Sequence, residues 1–231
     1  MNGTVRLGPS VPEAFAAVVA DTVTGAGPAG CSLFLSGGGT AIECYRSLAQ
    51  RDDLAWSGVD IFLGDERCVP PDDPDSNHRM IVHTLIDVVG PVRSDHPMYR
   101  TGAPETAAAA YQDLVAALPR PDLVHLGLGP DGHTASLFPG SAALDDTDPS
   151  HLVVANTDPN GVNAHPRITL TFPGIARAAL VVVTVAGGSK REALARIHAG
   201  EDLPGGRVAG TDVLWLVDAA ALGDLTPDEV A

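Results

Sequence analysis

A histidine lies in a glycine-rich segment where it could transfer protons. The segment runs from Gly127 to Pro139, reads GLGPDGHTASLFP, and has His133 near its middle. Imidazole is the side chain best suited to proton transfer near neutral pH, and a nearby carboxylate such as that of Asp131 can orient the ring and stabilise its protonated form. The flanking glycines leave room for a substrate. This stretch, which we call the histidine segment, therefore indicates general acid–base chemistry.

Two other glycine-rich stretches could bind a small anion. One is the glycine turn from Ser36 to Thr40, which reads SGGGT, and the other runs from Ala186 to Lys190 and reads AGGSK. Glycines allow the backbone to approach an anion, and the N-terminus of a following helix supplies unpaired N–H groups and the positive end of its dipole. Neither stretch has the ending of a Walker loop or the spacing of a dinucleotide fingerprint. They indicate phosphate binding, with a purely structural turn as the alternative.

Charged side chains add to these candidates. Lys190 is the only lysine among 14 lysine and arginine residues, and its compact ammonium suits a phosphate group. Asp65, Glu66 and Arg67 directly follow an apolar run. Three charges at a strand end are costly to bury, so they either lie in a solvated loop or work in a site. Asp65 and Asp131 are both candidates to orient the histidine, and the sequence leaves that choice open.

Short apolar runs alternate with helical stretches, and this alternation predicts the elements that hold these segments. The runs are mostly unbroken, as in strands that are buried on both faces of a sheet. We therefore predict an α/β fold with a Rossmann-like, mostly parallel sheet and helices on both faces, a three-layer α/β/α arrangement. Ligands of such sheets bind beyond the carboxyl ends of the strands, where the unusual segments lie. The predicted strands are Cys31–Leu35, Val59–Leu63, Leu123–Leu128, Leu152–Val154, Ile168–Thr171, Leu180–Val185 and Val213–Val217. The predicted helices run from about Ser10 to Asp21, before a linker from Gly25 to Gly30, and over Ala41–Gln50, Asn77–Val88, Glu105–Leu118 and Lys190–Ala199.

Length and composition limit the kind of protein this can be. A chain of 231 residues suits one large domain, so we expect residues 1–231 to fold as a single unit. No apolar run reaches the roughly 20 residues that span a bilayer, no export signal is visible, and three cysteines without paired spacing favour a reducing compartment. The expected location is the cytoplasm. The net charge of -15 disfavours nucleic acid and anionic membranes as partners, while a local pocket can still bind a small anion.

No motif indicates a metal or a covalent nucleophile. The histidines and cysteines lack a recurrent ligand spacing, so we expect no metal and no cofactor. No serine lies in a G-x-S-x-G elbow and no cysteine has a histidine next to it, so covalent catalysis has little support.

Together, these segments resemble the glucosamine-6-phosphate isomerase/6-phosphogluconolactonase family over nearly the whole chain. In the deaminase branch, the stretch after the Asp-Gly-His motif continues toward a catalytic glutamate beside a proline, whereas here Phe138 stands before Pro139. That branch also has a tyrosine after its Asp-Glu pair, where this chain has Arg67. Both differences favour the lactonase branch. The motifs that carry the resemblance are Ser36–Thr40, Gly64–Pro70, Ser76-Asn77, Gly127–Pro139, Arg167-Ile168-Thr169, Lys190 and Val213–Asp218.

The resemblance implies hydrolysis of 6-phospho-D-glucono-1,5-lactone to 6-phospho-D-gluconate, the second step of the oxidative pentose phosphate pathway. In this hypothesis His133 activates water, Asp131 or Asp65 orients it, and Arg67 or backbone N–H groups stabilise the oxyanion. The phosphate lies against the glycine turn. The expected oligomeric state is a monomer, with a weak homodimer as the alternative. The candidate substrate- and phosphate-binding residues are Ser36, Gly37, Gly38, Gly39, Thr40, Arg167 and Lys190.

Three other functions compete with this hypothesis. A glucosamine-6-phosphate deaminase would release ammonia, and a sugar-phosphate isomerase acting on a substrate such as ribose 5-phosphate would interconvert it without water uptake. A sugar-phosphate sensor of a transcription regulator can share the fold. Such a sensor is expected to carry a basic helix-turn-helix, for which this acidic chain has neither the length nor the charge.

Overall fold

The computed structural model describes residues 1–225 of the chain. Its strands are β1 (Thr4–Leu7), β2 (Cys31–Leu35), β3 (Val59–Leu63), β4 (Asp65–Arg67), β5 (Ser94–Asp95), β6 (Leu123–Gly127), β7 (Val153–Asn156), β8 (Arg167–Leu170), β9 (Leu180–Val185) and β10 (Asp212–Val217). Seven of them form one sheet in the order β1-β10-β9-β6-β2-β3-β5, and every neighbouring pair is parallel. All residues of β2 are buried, as expected for a strand covered on both faces. This sheet, flanked by helices, confirms the predicted α/β class.

A separate small sheet carries several of the charged residues. It consists of β4, β8 and β7 in that order, and both pairs are antiparallel. The βα alternation predicts that the apolar runs Leu152–Val154 and Ile168–Thr171 form strands of the parallel sheet. They contribute strands to this antiparallel sheet instead. The chain leaves the parallel sheet at Gly64, whose N–H donates to the carbonyl of Leu35 and whose own carbonyl accepts from Leu170. The charged stretch that follows is therefore a strand and not a loop.

The helices lie between the strands. A π-helical turn at Val82–Ile86 joins α3 to α4 and divides the single helix that was predicted over Asn77–Val88. In chain order the helices are α1 (Val11–Ala26), α2 (Gly39–Leu48), α3 (Asn77–Ile81), α4 (Asp87–Val89), α5 (Pro104–Ala117), α6 (Phe172–Ala176), α7 (Arg191–His198) and α8 (Ala219–Leu222).

Helix α1 is longer than its sequence pattern predicts. Ser10 caps it as expected, since its Oγ accepts a backbone N–H of the first turn at 3.3 Å. The helix continues beyond the predicted end at Asp21 because Val23 is still buried in the core. It stops at Gly27, where φ is 55°. The predicted linker from Gly25 to Gly30 is therefore wrong for its first two residues, which are helical.

The connection pattern changes direction between β2 and β6. From β2 the chain proceeds through β3 to β5, and from β6 it proceeds through β9 to β10 on the other side of the sheet. In parallel α/β sheets a crevice for the ligand opens at the carboxyl edge where the order reverses. The glycine turn follows β2 and the histidine segment follows β6. The fold thus brings the two most unusual segments of the sequence side by side.

The hydrophobic core is built on the parallel sheet. Its largest fully buried side chains include Trp215 on β10, Phe34 on β2 and Phe15 on α1. Burial of one such side chain stabilises a fold by roughly 1.5–3 kcal/mol, so the sheet is a rigid base for the strand ends. Within residues 1–225, no helix is both long enough and apolar enough to cross a membrane.

Candidate active site

The carboxyl edge of the parallel sheet opens into a pocket of about 160 Å³. Gly38, Gly39 and Asp131 are predicted site residues that do not line it; Gly38, with φ of 101°, is the N-cap of α2, and Gly39 is the first residue of that helix. Distant parts of the sequence therefore meet in one pocket, as expected for a site at the strand ends. The predicted site residues that line it are Ser36, Gly37, Thr40, Asp65, Arg67, His133, Arg167 and Lys190.

His133 is hydrogen bonded to the carboxylate of Asp131. Its Nδ1 lies 2.5 Å from Oδ1 of Asp131, and the same oxygen accepts the backbone N–H of His133 at 3.2 Å. Because Nδ1 faces an acceptor, we assign the proton to Nδ1, which leaves Nε2 with the lone pair that a general base needs. Burial alone would raise the pKa of Asp131, but the hydrogen bond and the charge of His133 bring it below its usual value. The pair is arranged as a base and its orienting carboxylate.

The backbone of the histidine segment leaves space for this pair. A Cβ on Gly129 would lie 2.2 Å from Nδ1 of His133 and 2.6 Å from Oδ1 of Asp131, so a side chain there would displace this pair. Gly132 has φ of 87°. Ala135 has φ of 47°, which is uncommon for a residue with a side chain and is often found at functional sites. The backbone conformation of the histidine segment therefore leaves the space that His133 and Asp131 occupy.

Asp65 is engaged with a different partner. Its Oδ2 accepts a hydrogen bond from the hydroxyl of Ser136 at 2.6 Å, and the backbone N–H of Ser136 donates to Oγ1 of Thr169 at 3.1 Å. Of the two carboxylates that the sequence left open, Asp131 is the one bonded to the imidazole. Asp65 instead ties β4 to the histidine segment.

Phe138 gives the imidazole an apolar wall. Its ring is buried and packs edge-on against His133, with 5.2 Å between the ring centroids. A glutamate at this position would place a second acid-base group beside the histidine. The phenyl ring places no further titratable side chain at that position.

Two arginines lie opposite each other in the small sheet. Arg67 on β4 pairs with Arg167 on β8, and like charges in such a pair destabilise a sheet in the absence of an anion. Burial and then the charge of Arg67 lower the pKa of Arg167, which is 6% exposed. Nη1 of Arg167 has no hydrogen-bond partner within residues 1–225, whereas Nη1 of Arg67 donates to the carbonyl of Asp75. This wall of the pocket is positively charged.

A third cation, Lys190, follows a strand of the parallel sheet. Lys190 ends the 3-10 turn Gly188–Lys190 that follows β9 and precedes α7. Burial lowers its pKa, and the charge of Asp131 opposes that shift. The charge of Asp131 therefore reaches Lys190, while that of Asp65 reaches Arg167.

Glu66, the remaining charge of the β4 segment, caps a helix. Its carboxylate accepts the backbone N–H groups of Arg67, Asn77 and His78 at 2.7–2.8 Å and the hydroxyl of Ser76 at 3.0 Å. Burial raises its pKa even though all four hydrogen bonds favour the charged form. Its task is to hold the start of α3 against β4. Among residues 1–225, no group of three or more His, Cys, Asp or Glu side chains is arranged to hold a metal ion.

Sequence reasoning missed a buried hydrogen-bond network behind the glycine turn. Oη of Tyr45 lies 2.9 Å from Nδ1 of His125, accepts the backbone N–H of Ser36 at 2.7 Å and lies 2.9 Å from the carbonyl of Ser36. Nε2 of His125 is 2.9 Å from Oγ1 of Thr184. Burial lowers the pKa of His125 to about 3, so this imidazole is neutral near pH 7. The network joins β2, α2, β6 and β9 at the pocket.

His125 and Asn77 also line the pocket, although the sequence analysis did not name them as site residues, and each had one faint signal. His125 is the polar member of an otherwise apolar strand. Asn77 follows the charged β4 segment and packs beside Gly37. Neither signal identifies a partner, because the partners lie on other elements.

Comparisons with known proteins give consistent matches over most of the chain. The family model described as Glucosamine-6-phosphate isomerases/6-phosphogluconolactonase matches residues 6–215. A 6-phosphogluconolactonase of Synechocystis sp. is 41% identical over 211 residues, which cover 85% of this chain and 85% of that protein. A 6-phosphogluconolactonase of Rhizobium meliloti is 37% identical over 203 residues, covering 83% of this chain and 86% of that protein.

Solved structures of other proteins share the fold of this chain. The 6-phosphogluconolactonase from Thermotoga maritima has a TM-score of 0.82 at 29% identity, with 94% of this chain and 100% of that chain covered. A monomeric glucosamine-6-phosphate deaminase has a TM-score of 0.80 at 22% identity, with 95% and 98% covered. The deaminase shares the fold alone.

Proposed function

The chain belongs to the glucosamine-6-phosphate isomerase/6-phosphogluconolactonase family, and we propose that it opens its lactone with His133 as the general base. It is a lactone-hydrolysing enzyme that converts 6-phospho-D-glucono-1,5-lactone to 6-phospho-D-gluconate in the oxidative pentose phosphate pathway. The observation that carries the mechanism is the 2.5 Å contact between His133 and Asp131 at the pocket wall. Phe138 and Arg67, where the deaminase branch has a glutamate and a tyrosine, support the lactonase over the deaminase.

In the proposed reaction, Nε2 of His133 removes a proton from water while the water oxygen attacks C1 of the lactone. Negative charge develops on the carbonyl oxygen, where Arg67 and backbone N–H groups stabilise it. The imidazolium then returns the proton to the ring oxygen as the bond between C1 and that oxygen breaks. Asp131 keeps the proton on Nδ1 and stabilises the imidazolium. Asp65 contributes by holding the histidine segment through Ser136.

The phosphate group is proposed to lie against the glycine turn. Helix α2 begins at Gly39, so its first N–H groups and the hydroxyl of Thr40 can donate to phosphate oxygens. Lys190 and Arg167 line the same pocket and supply positive charge. The lactone carbonyl would then lie toward His133, between the phosphate-binding groups and the histidine segment.

We also propose that the protein is a single cytoplasmic domain over residues 1–231 that acts on this small molecule and has no nucleic acid partner. The net charge of -15 disfavours polyanions. Its three cysteines are free, and burial raises the pKa of Cys31 and Cys44 to about 12, which suits a reducing compartment. The proposed oligomeric state is a monomer, with a weak homodimer as the alternative.

Hydrolysis of 6-phosphogluconolactone by wild type and by His133→Ala tests the mechanism. After correction for the spontaneous rate, the variant should turn over about 100- to 10,000-fold more slowly, because it lacks the proton acceptor. His151→Ala is a matched control, since His151 is exposed and does not line the pocket. An unchanged rate in His133→Ala would refute the base assignment. Ammonia release from glucosamine 6-phosphate by the wild type would favour the deaminase.

A further inference from the structure

We propose that the buried hydroxyl of Tyr45 positions the glycine turn for phosphate and so sets the affinity for the phosphorylated substrate, an inference that rests on the proposed function. Tyr45 lies in the second turn of α2 and is fully buried. Helical side chains point back toward the N-terminus of their helix, and this one reaches Ser36, the residue just before the three glycines. The contact ties α2 to the turn from which the helix starts.

The polar groups of Ser36 are all paired with buried partners. Its backbone N–H donates to Oη of Tyr45 at 2.7 Å, its carbonyl oxygen lies 2.9 Å from the same Oη, and its hydroxyl donates to the carbonyl of His125 at 2.9 Å. Ser36 is 3% exposed, whereas Gly37 and Thr40 are half-buried and line the pocket. Ser36 is therefore the buried base of the turn, and a ligand reaches the turn at the residues that follow.

The hydroxyl of Tyr45 has one proton and two acceptors within reach. Nδ1 of His125 and the carbonyl oxygen of Ser36 both lie 2.9 Å from Oη. Burial lowers the pKa of His125 to about 3, so near pH 7 one of its nitrogens carries a proton and the other accepts one. When Nδ1 carries the proton, Nε2 accepts from the hydroxyl of Thr184 at 2.9 Å and the proton of Tyr45 goes to the carbonyl of Ser36. The opposite tautomer leaves that buried carbonyl unpaired within residues 1–225, which is costly.

Tyr45 thereby fixes the first peptide group of the turn. The carbonyl of Ser36 and the N–H of Gly37 belong to one planar trans peptide group and point in opposite directions. Because the carbonyl is bonded to Tyr45, the N–H of Gly37 points away from the buried hydroxyl. The next residue, Gly38, is the N-cap of α2, and no side chain among residues 1–225 caps the first N–H groups of that helix. A phosphate at the turn therefore meets N–H groups whose direction is set before it binds, which increases affinity.

Tyr45→Phe removes only the hydroxyl, so it should weaken binding of the phosphate group and leave the chemistry at His133 intact. KM for 6-phosphogluconolactone should rise about 10-fold with kcat unchanged, because hydrogen bonds to the charged phosphate lose their alignment. For unphosphorylated glucono-1,5-lactone, kcat/KM should not change. A merely structural role would lower the amount of folded enzyme, which reduces turnover of both lactones equally and leaves KM as it is.

Tyr111→Phe is the matched control. Tyr111 is also fully buried, and its hydroxyl accepts the backbone N–H of Leu63 at 2.8 Å at the end of β3. Neither tyrosine lines the pocket. This variant loses a comparable hydrogen bond at a strand end, but it should retain the wild-type KM for both lactones because the glycine turn is untouched.

Thr184→Val tests the network without altering Tyr45. It removes the donor to Nε2 of His125, which frees the imidazole to take the proton of Tyr45 away from Ser36, so KM for the phosphorylated lactone should rise by a smaller factor. If Tyr45→Phe does not fold, Thr184→Val decides in its place.

An unchanged KM in folded Tyr45→Phe, equal losses with both lactones, or the same rise in Tyr111→Phe would overturn the role of Tyr45. A wild type without any preference for the phosphorylated lactone would refute the proposed phosphate site itself, and this inference with it.

Discussion

Acid should destabilise this protein through His125, and the size of the effect follows from its burial. His125 is fully buried on β6, and burial lowers its pKa from 6.5 to about 3. The same side chain in the unfolded chain takes up a proton near pH 6.5, so the unfolded state binds more protons than the folded state between these two values. The stabilisation is therefore complete above pH 6.5 and is lost progressively as the pH falls toward 3.

The expected loss can be worked out from this window. Each pH unit within it lowers the free energy of unfolding by about 1.4 kcal/mol. Between pH 7 and pH 5, about 1.5 units lie inside the window, so this single group should cost about 2 kcal/mol. That is a large share of the roughly 5–15 kcal/mol that stabilises a typical domain.

Urea unfolding at pH 7, 6 and 5 measures the effect in wild type and in His125→Gln. The variant replaces the imidazole with a neutral amide, so the wild type should lose about 2 kcal/mol more than the variant between pH 7 and pH 5. Thr184→Val is the control, because it removes the hydroxyl 2.9 Å from Nε2 but leaves the imidazole buried. It should be less stable by about 1 kcal/mol at every pH with an unchanged slope. Equal losses in wild type and His125→Gln would refute the reasoning.

The site gives three further predictions. Asp131→Asn should lower kcat by about 100- to 10,000-fold, because an amide no longer fixes the proton on Nδ1; steady-state kinetics check this, and a change confined to KM would contradict it. Gly129→Ala should lower kcat while the chain still folds, because its Cβ would displace the imidazole from Oδ1 of Asp131; normal turnover in a folded variant, judged by circular dichroism, would contradict it. Lys190→Ala should mainly raise KM for the phosphorylated lactone; equal losses with the unphosphorylated lactone would argue against phosphate binding.

The sequence predicts the central strands of the parallel sheet well because they are buried on both faces, whereas it does not predict the exposed edge strands β1 and β5. The runs Cys31–Leu35, Val59–Leu63 and Leu180–Val185 coincide with observed strands residue for residue. Continuous apolar side chains need no alternation, so the run itself marks the strand. The small sheet is different, since β4 consists of three charged residues with little strand preference. It is a strand only because β8, about a hundred positions later, pairs with it.

The candidate site shows the same division between local and distant information. Its segments could be located from the sequence because each follows a strand that ends at the carboxyl edge. The choice between Asp131 and Asp65 could not be made, because Ser136 engages Asp65 across 71 positions of sequence. The role of His125 was hidden for the same reason, since Tyr45 and Thr184 reach it from other elements. Side-chain partners of this kind depend on the completed fold.

The local balance of charges explains how an acidic chain can bind an anionic substrate. The net charge is -15, yet exposed carboxylates more than about 8–10 Å from the ligand are largely screened by salt. Asp65 lines the pocket, and Asp131 lies beside it, hydrogen bonded to His133. Arg67, Arg167 and Lys190 line the same space, and their charges act at short range with less screening. Three cations therefore face these two carboxylates, and this local excess of positive charge sets the sign of the site, which composition does not reveal.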